Sequence, residues 1–449
     1  LLSRRQRQMC IRDRHNSKSN ILQGDFLRDL FNYIQDTANI NFENMGLTEV
    51  DNVIFSRLAY LNLSAFTGKT IEYAAEHYQA REDDAKNIIR TKELLEALAK
   101  TKRFKFTFIE EVNEIMSEDA GSAFYAVKFK ITKDHSYIAF RGTDERITSL
   151  YEDAELAYKF PIPSQIAALN FVKEAIRSNN DRLYIGGHSK GGNLALFSFI
   201  FLNETQRKKI VRTYNNDGPG FPKELVRLIV KPDIAAKITN LAPEDSIVGR
   251  MLETSGEYRV IKSVAVGVSQ HNVFTWVVKG VEFETTKKFS LLSEYIEDTL
   301  TAGLNTASGD DMKKAAETIY RIAMNSNIKT TKDINPKNLK SVIPALIQIA
   351  DRENNVSDEM TAIIKILIKS LLDSIDIKKF ITYSLPEEIT EYANMDKEEI
   401  KQALAEKFRP DENGNSEARQ FFTELYAKYK EEKEAKERKK NTENKKSGD

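Results

Sequence analysis

The stretch GGHSKGGN, residues 186–193, places one serine between two pairs of glycines, directly after the apolar run LYI. Gly187, Ser189 and Gly191 match the pattern G-x-S-x-G, and the apolar segment NLALFSFIF follows. A serine nucleophile presented on a sharp turn between a strand and a helix requires this order. The flanking glycines let the turn approach its neighbours because they carry no Cβ. We therefore predict a nucleophile elbow at Ser189; the simpler alternative is a glycine-rich turn whose serine only caps a helix.

Strand and helix patterns alternate around this turn. Five segments each indicate a strand that ends in a loop: SYIAF, DRLYIGG, IVRTYNNDGPG, AAKITNLAPED and YRVIKSVAVG. Between the first two of them, SQIAALNFVKEAIRS has the pattern of an amphipathic helix. Strands that alternate with helices from about residue 136 to residue 267 favour a mostly parallel sheet flanked by helices. We predict an α/β fold with this sheet at its centre.

Four segments are expected along the 449 residues. Residues 1–15 include MCIRDR, which resembles a translated library-preparation sequence, so this segment is expected to be a sequencing artefact. Residues 16–288 are expected to form the sheet domain with a helical N-terminal part, seen in DNVIFSRLAYL and TKELLEALAK. Residues 289–425 predict a helical C-terminal region, and the charged residues 426–449 predict a disordered tail.

Composition narrows the classes of function. Lysine plus arginine equals aspartate plus glutamate, at 67 each, so overall charge gives no reason to expect nucleic acid as a partner. A single cysteine excludes an internal disulfide framework and favours a cytoplasmic location. No apolar run reaches the roughly 20 residues that cross a bilayer, although peripheral membrane contact stays possible. No cluster at metal-ligand spacing is present in the sequence, so we expect neither a metal nor a cofactor.

A serine nucleophile needs a base, and the five histidines allow an assignment by elimination. Four are set aside by position: His15 in the suspected artefact, His77 in a polar helix before the sheet, His135 in a turn between strands, and His188 beside the serine with its side chain directed away. His271, in SQHNVFTW, follows the last predicted strand. Hydrolases with this type of elbow order their triad as serine, acid, histidine, which also favours His271.

The acid that orients the histidine should follow a strand between Ser189 and His271. Asp245, in NLAPEDSIVGRML, is favoured, because its strand lies nearest in sequence to the histidine loop. Asp217, in NNDGPGF, is the main alternative, and Glu244 is a third candidate.

Two backbone amides should form the oxyanion hole. One belongs to Lys190, the residue after the nucleophile, and FRGTD provides the other at Thr143. Arg141 is expected to form a structural ion pair.

These motifs together are similar to those of class 3 lipases, which carry F-R-G-[ST] and G-H-S-[LK]-G-G. The chain resembles more closely the bacterial Mbeg-like lipase-related family, over roughly residues 40 to 300. The segments that carry this resemblance are FRGTDERITSLYEDAE, GGHSKGGNLA, NNDGPGF, SIVGRML and QHNVFTW. The resemblance implies an α/β-hydrolase fold, with a triad on Ser189, His271 and Asp245 and an oxyanion hole at Thr143 and Lys190. Lys190 departs from the leucine usual in secreted lipases, and Leu150 and Tyr151 stand where tryptophan is expected. In relatives the position of Asp245 is not always acidic, which keeps Asp217 open.

The sequence thus favours a cytoplasmic serine hydrolase that acts on an ester or thioester of a lipid-like or other acyl substrate. A peptidase or amidase would use the same triad. A protein of a different class, a non-catalytic scaffold that keeps the hydrolase fold, is the alternative.

Overall fold

The computed structural model describes residues 28–325, except for 82–83, 85, 118–121, 145, 223–224, 227–230, 255, 291–292 and 295–308. All of these belong to the first of the two units into which the chain divides, Leu1–Ile375 and Asp376–Asp449. The predictions for residues 1–15 and 426–449, and most of those for the helical C-terminal region, fall outside the described residues.

The described N-terminal part of the chain, for which the sequence predicts helices, contains four α-helices. They are α1 (Leu30–Thr37), α2 (Glu49–Leu58), α3 (Ile71–His77) and α4 (Lys86–Ala99). Side chains cap the first turns of α1 and α2: Asp29 accepts from Phe31 N and Asn32 N, and Thr48 accepts from Asp51 N. All ten residues of α2 are buried, and this helix contacts strands at the middle of the sheet. The polar side chains of α2 therefore need partners inside the protein.

A sheet of nine strands forms the centre of the described part of the chain. Its strands, in spatial order, are β1 (Lys69–Thr70), β2 (Phe108–Ser117), β3 (Ser122–Thr132), β4 (His135–Phe140), β5 (Arg182–His188), β6 (Ile210–Asn216), β7 (Ile238–Pro243), β8 (Tyr258–Ile261) and β11 (Thr285–Thr286). The pairs from β4 to β8 are parallel, and those at both edges are antiparallel. A separate hairpin joins β9 (Val278–Lys279) to β10 (Glu282–Phe283).

Helices connect β4 to β5, β5 to β6 and β6 to β7. They are α5 (Ile147–Glu155), α6 (Pro163–Ser178), α7 (Lys190–Ile200), α8 (Glu204–Lys209) and α9 (Pro232–Ala235). The predicted fold, a mostly parallel α/β-hydrolase-like sheet flanked by helices, is confirmed. Of the C-terminal region the structure describes a further helix, α10 (Gly309–Asn325). The ring of Tyr320 in this helix lies at a tilt against the ring of Tyr151 in α5, with centroids 4.9 Å apart.

Two hydrophobic cores lie on opposite faces of the sheet. Alternation along β3 directs Tyr125 and Val127 into the core with α1, α2 and α4, and Phe124 and Ala126 into the core with α6 and α7. Since β4 to β8 are parallel, their carboxyl ends meet at one edge, where sites of open α/β sheets form.

Candidate active site

Ser189 occupies the sharp turn between β5 and α7. Its backbone has φ 59° and ψ −134°, a region in which a residue with a side chain is strained. The turn is tight: a Cβ on Gly187 would come 2.3 Å from the carbonyl carbon of Gly191. Ser189 N donates to the Asn216 carbonyl at 3.0 Å, which ties the turn to the end of β6. The predicted strand–turn–helix arrangement is present, with Ser189 at its apex and 8% exposed.

His271 lies beside this turn and is paired with Asp217. The distance from His271 Nδ1 to Asp217 Oδ2 is 2.7 Å, and the Asp217 side chain is fully buried while that of His271 is 27% exposed. The other carboxylate oxygen of Asp217 accepts hydrogen bonds from Ser246 Oγ and, at 3.2 Å, from Gly249 N. This buried carboxylate has three donors around it, so its orientation toward His271 is fixed.

The preference for Asp245 as the partner of His271 is wrong. Asp245 Oδ2 instead accepts from Gly267 N and Gln270 Nε2, both at 2.8 Å, and so holds the loop that precedes His271. Sheet order explains the difference: β6 is the direct neighbour of β5, so the residue that follows β6 lies next to the elbow. Glu244 N pairs with the Ile261 carbonyl at the end of β7, which places this third candidate one strand farther from the elbow.

The sequence around Asp217 contains a signal for its position, the turn sequence NDG. In the structure the φ of Asp217 is 51°, a left-handed conformation that aspartate tolerates better than most residues and that fits this turn. Turn-forming chemistry and catalytic chemistry are thus compatible in one side chain.

The remaining described histidines lie as follows. His77 ends α3 and its Nδ1 lies 2.8 Å from the Tyr73 carbonyl. His135 begins β4, not a turn, because it pairs with Thr132 and Arg182 in the sheet. His188 directs its ring toward Tyr60 and the backbone of His271. His271 is therefore the one described histidine that pairs with a buried carboxylate at the elbow.

The FRGTD loop lies against the elbow, as the oxyanion prediction requires. A Cβ on Gly142 would stand 3.1 Å from Ser189 Cβ, so the loop and the serine are in direct contact. Thr143 Oγ1 donates to Asp153 Oδ2 on α5, which fixes the loop. Arg141 Nη2 lies 3.9 Å from Glu114 Oε1, the structural ion pair that was expected.

Lys190 begins α7, and its side chain turns inward. Lys190 Nζ lies 2.7 Å from Glu152 Oε2 and 3.6 Å from Asp153 Oδ1, with the Lys190 side chain 1% exposed. Burial opposes the charge, but the carboxylates of Asp153 and Glu152 outweigh it and raise the pKa of Lys190. The ammonium is therefore neutralised by α5, and the Lys190 backbone amide lies in the open first turn of the helix.

Asp153 supplies a pH-dependent prediction. Burial, opposed by Lys190 and by the hydrogen bond from Thr143, raises the pKa of its carboxyl from 3.8 to about 6. The folded protein thus holds this proton to a higher pH than the unfolded chain does, so the contribution of Asp153 to stability falls as the pH rises from about 4 through about 6. Asp153→Asn removes this contribution. In urea unfolding, the variant should gain stability relative to the wild type between pH 4 and pH 7. If the free energies of unfolding of variant and wild type differed by the same amount at both pH values, the raised pKa would be contradicted.

In the described part of the chain, no cluster of three or more histidine, cysteine, aspartate or glutamate side chains is arranged to hold a metal ion. None of the described helices combines the length and the apolar content needed to cross a membrane.

The segment from residue 98 to residue 321 matches the model of the Mbeg1-like family, and over these residues the chain belongs to that family. The matched segment includes β2 to β11 and all the site residues described above. A search of curated proteins gave no match.

Several solved structures, lipases among them, are similar to the chain. A mutant form of MDLA from Penicillium cyclopium is 12% identical, with 54% of this chain and 90% of that chain covered and a TM-score of 0.32. A fungal lipase–inhibitor complex is 14% identical, with 50% and 89% covered and a TM-score of 0.27. The extracellular lipase LipA from Serratia marcescens is 14% identical, with 46% and 40% covered and a TM-score of 0.28.

Proposed function

We propose that this Mbeg1-like protein is a serine hydrolase that cleaves an ester or thioester of a lipid-like or other acyl substrate, with Ser189, His271 and Asp217 as its triad. The observation that carries the proposal is the 2.7 Å contact between His271 Nδ1 and the fully buried Asp217, beside a serine held in a strained elbow turn. A buried carboxylate on a histidine ring, next to such a serine, is the arrangement that acyl transfer by serine requires.

Asp217 sets the tautomer of His271. Its carboxylate accepts a hydrogen bond from His271 Nδ1–H, which keeps the proton on Nδ1. The lone pair of His271 Nε2 then points away from Asp217 and can take the proton of Ser189. Ser189 Oγ then attacks the acyl carbonyl, and the proton passes from Nε2 to the leaving group. In the second half of the reaction, water gives its proton to Nε2, attacks the acyl-enzyme and releases the acid, and the proton returns to Ser189.

The backbone amides of Thr143 and Lys190 are the proposed donors to the oxyanion. The contact of Gly142 with Ser189 Cβ brings the FRGTD loop beside the nucleophile, and Lys190 N lies at the open N-terminal turn of α7. Both donors are anchored to α5, Thr143 through Asp153 and Lys190 through Glu152. Such anchoring fixes the donors before charge develops, which is the condition for electrostatic stabilisation of the transition state.

Hydrolysis of short-chain p-nitrophenyl esters and acyl thioesters tests the proposal. The wild type should release product, and Ser189→Ala should lose about 10³-fold or more of kcat. Ser178→Ala, at the exposed end of α6, is the matched control and should retain full activity. A wild type without turnover, or a Ser189→Ala variant as active as Ser178→Ala, would instead favour the non-catalytic scaffold.

A further inference from the structure

A chain of hydrogen bonds joins three parts of the site through two residues that the triad does not use. Tyr60 follows α2, in the helical N-terminal part of the chain, and its hydroxyl lies 2.9 Å from His188 Nδ1. The other ring nitrogen of His188, Nε2, lies 2.8 Å from the backbone carbonyl of His271. The Tyr60 oxygen also faces the FRGTD loop, because a Cβ on Gly142 would come 2.3 Å from it.

The direction of each hydrogen bond follows from whether each group can donate or accept one. A backbone carbonyl only accepts, so His188 Nε2 carries a proton and donates it to His271. Burial, together with the charges of His271 and Arg57, lowers the pKa of His188 well below its ordinary value, so the ring is neutral and its Nδ1 accepts from the Tyr60 hydroxyl. Burial raises the pKa of Tyr60 to about 12 against the opposing effect of the Gly142 backbone, so the phenol keeps its proton.

We propose that Tyr60 and His188 are positioning residues that hold the oxyanion loop, the elbow and the backbone of His271 in a fixed mutual arrangement. Gly142 lies in the FRGTD loop, His188 is the last residue of β5, and His271 lies in the segment after β8, and the Tyr60–His188 bridge connects all three. The rings of His188 and His271 lie 4.4 Å apart between centroids, so a shift of the His188 ring would displace the catalytic base. The proposal rests on the proposed function, because positioning has a kinetic effect only if His271 is the base.

Tyr60→Phe tests the bridge, and Tyr125→Phe is its matched control. Both variants remove a hydroxyl from a tyrosine whose ring lies under an arginine, at 4.2 Å for Arg57 over Tyr60 and 4.4 Å for Arg141 over Tyr125. Tyr125 OH accepts from Leu63 N at 2.7 Å. Tyr60→Phe should lower kcat about tenfold with KM changed less than about threefold, because misplacement of the base affects the chemical step. Tyr125→Phe should lower Tm but keep kcat within about twofold. Equal kcat in the two variants would overturn the proposal.

The double variant Tyr60→Phe, His188→Gln separates a bridge from two independent contacts. If the two residues act as one bridge, the double variant should lose no more activity than the worse single variant. Losses that multiply would overturn the bridge.

Nitrogen NMR of ¹⁵N-histidine-labelled protein tests the bridge without any activity. The chain has five histidines, and the His188→Gln variant assigns the signals of His188. In the wild type, His188 should carry its proton on Nε2 between pH 5 and pH 8, and its Nδ1 signal should move in Tyr60→Phe but not in Tyr125→Phe. A proton on Nδ1 overturns the bridge even in an active enzyme. If the protein hydrolyses no ester but shows the expected NMR signals, the proposed function is overturned and the bridge is intact.

Discussion

Asp217→Asn is expected to lower kcat toward an activated ester by about 10³- to 10⁴-fold. The reason lies in the donors on the far side of the carboxylate. Asp217 Oδ1 accepts from Gly249 N, which can only donate, so an asparagine must place its carbonyl oxygen there. Its amide NH₂ then points at His271 Nδ1 and forces the imidazole proton onto Nε2. With Nε2 protonated, His271 cannot take the proton of Ser189.

Asp245→Asn is the matched control for this change. Both oxygens of Asp217 are committed to donors, whereas Asp245 acts through one oxygen that accepts from Gly267 N and Gln270 Nε2. An asparagine carbonyl can keep both of these bonds, so Asp245→Asn should retain kcat within about fivefold. The account would be contradicted if Asp245→Asn lost activity and Asp217→Asn kept it, since Asp245 would then be the acid after all.

Lys190→Met is expected to lower the free energy of unfolding by about 3–5 kcal/mol. The change leaves Glu152, whose side chain is fully buried, without the ammonium that lies 2.7 Å from it. Ser164 Oγ still donates to this carboxylate, but a hydroxyl does not replace a charge. Urea unfolding measures the loss. Lys208→Met removes a lysine from a pair whose side chains are 73% and 77% exposed, and as the control it should cost less than about 0.5 kcal/mol.

Lys190→Met with Glu152→Gln identifies the cause of this loss. Glutamine can still accept from Ser164, and the buried charge is gone, so the double variant should recover most of the stability. A coupling of about 2 kcal/mol or more between the two substitutions is expected. Two results would show that the pair does not neutralise a buried charge. In one, Lys190→Met is no less stable than Lys208→Met; in the other, the double variant is less stable than either single variant.

The fold was predictable because its signals are local. The amphipathic pattern of α6, the apolar run of α7 and the glycines around Ser189 each depend on a few neighbouring residues, and the structure has all three as expected. His271 could be found by elimination because the chain holds so few histidines. The capping residues Asp29 and Thr48 likewise act within one helical turn.

The acid could not be predicted because it depends on contacts between distant strands. Asp217 and Asp245 both follow a strand, and the sequence does not show that β6 is the neighbour of β5. Sequence distance to His271 favoured Asp245, whereas in the structure Asp245 accepts a hydrogen bond from Gln270. The inward turn of Lys190 was hidden for the same reason, since Glu152 lies 38 positions away.

The position of a covalent adduct tests the central claim most directly. The wild-type protein would be incubated with a fluorophosphonate, digested, and the modified peptide identified by mass spectrometry. One adduct is expected, on Ser189, and it should form much more slowly in Asp217→Asn than in Asp245→Asn. An adduct on another residue, or no adduct on the folded wild type, would contradict the claim that Ser189 is the activated nucleophile.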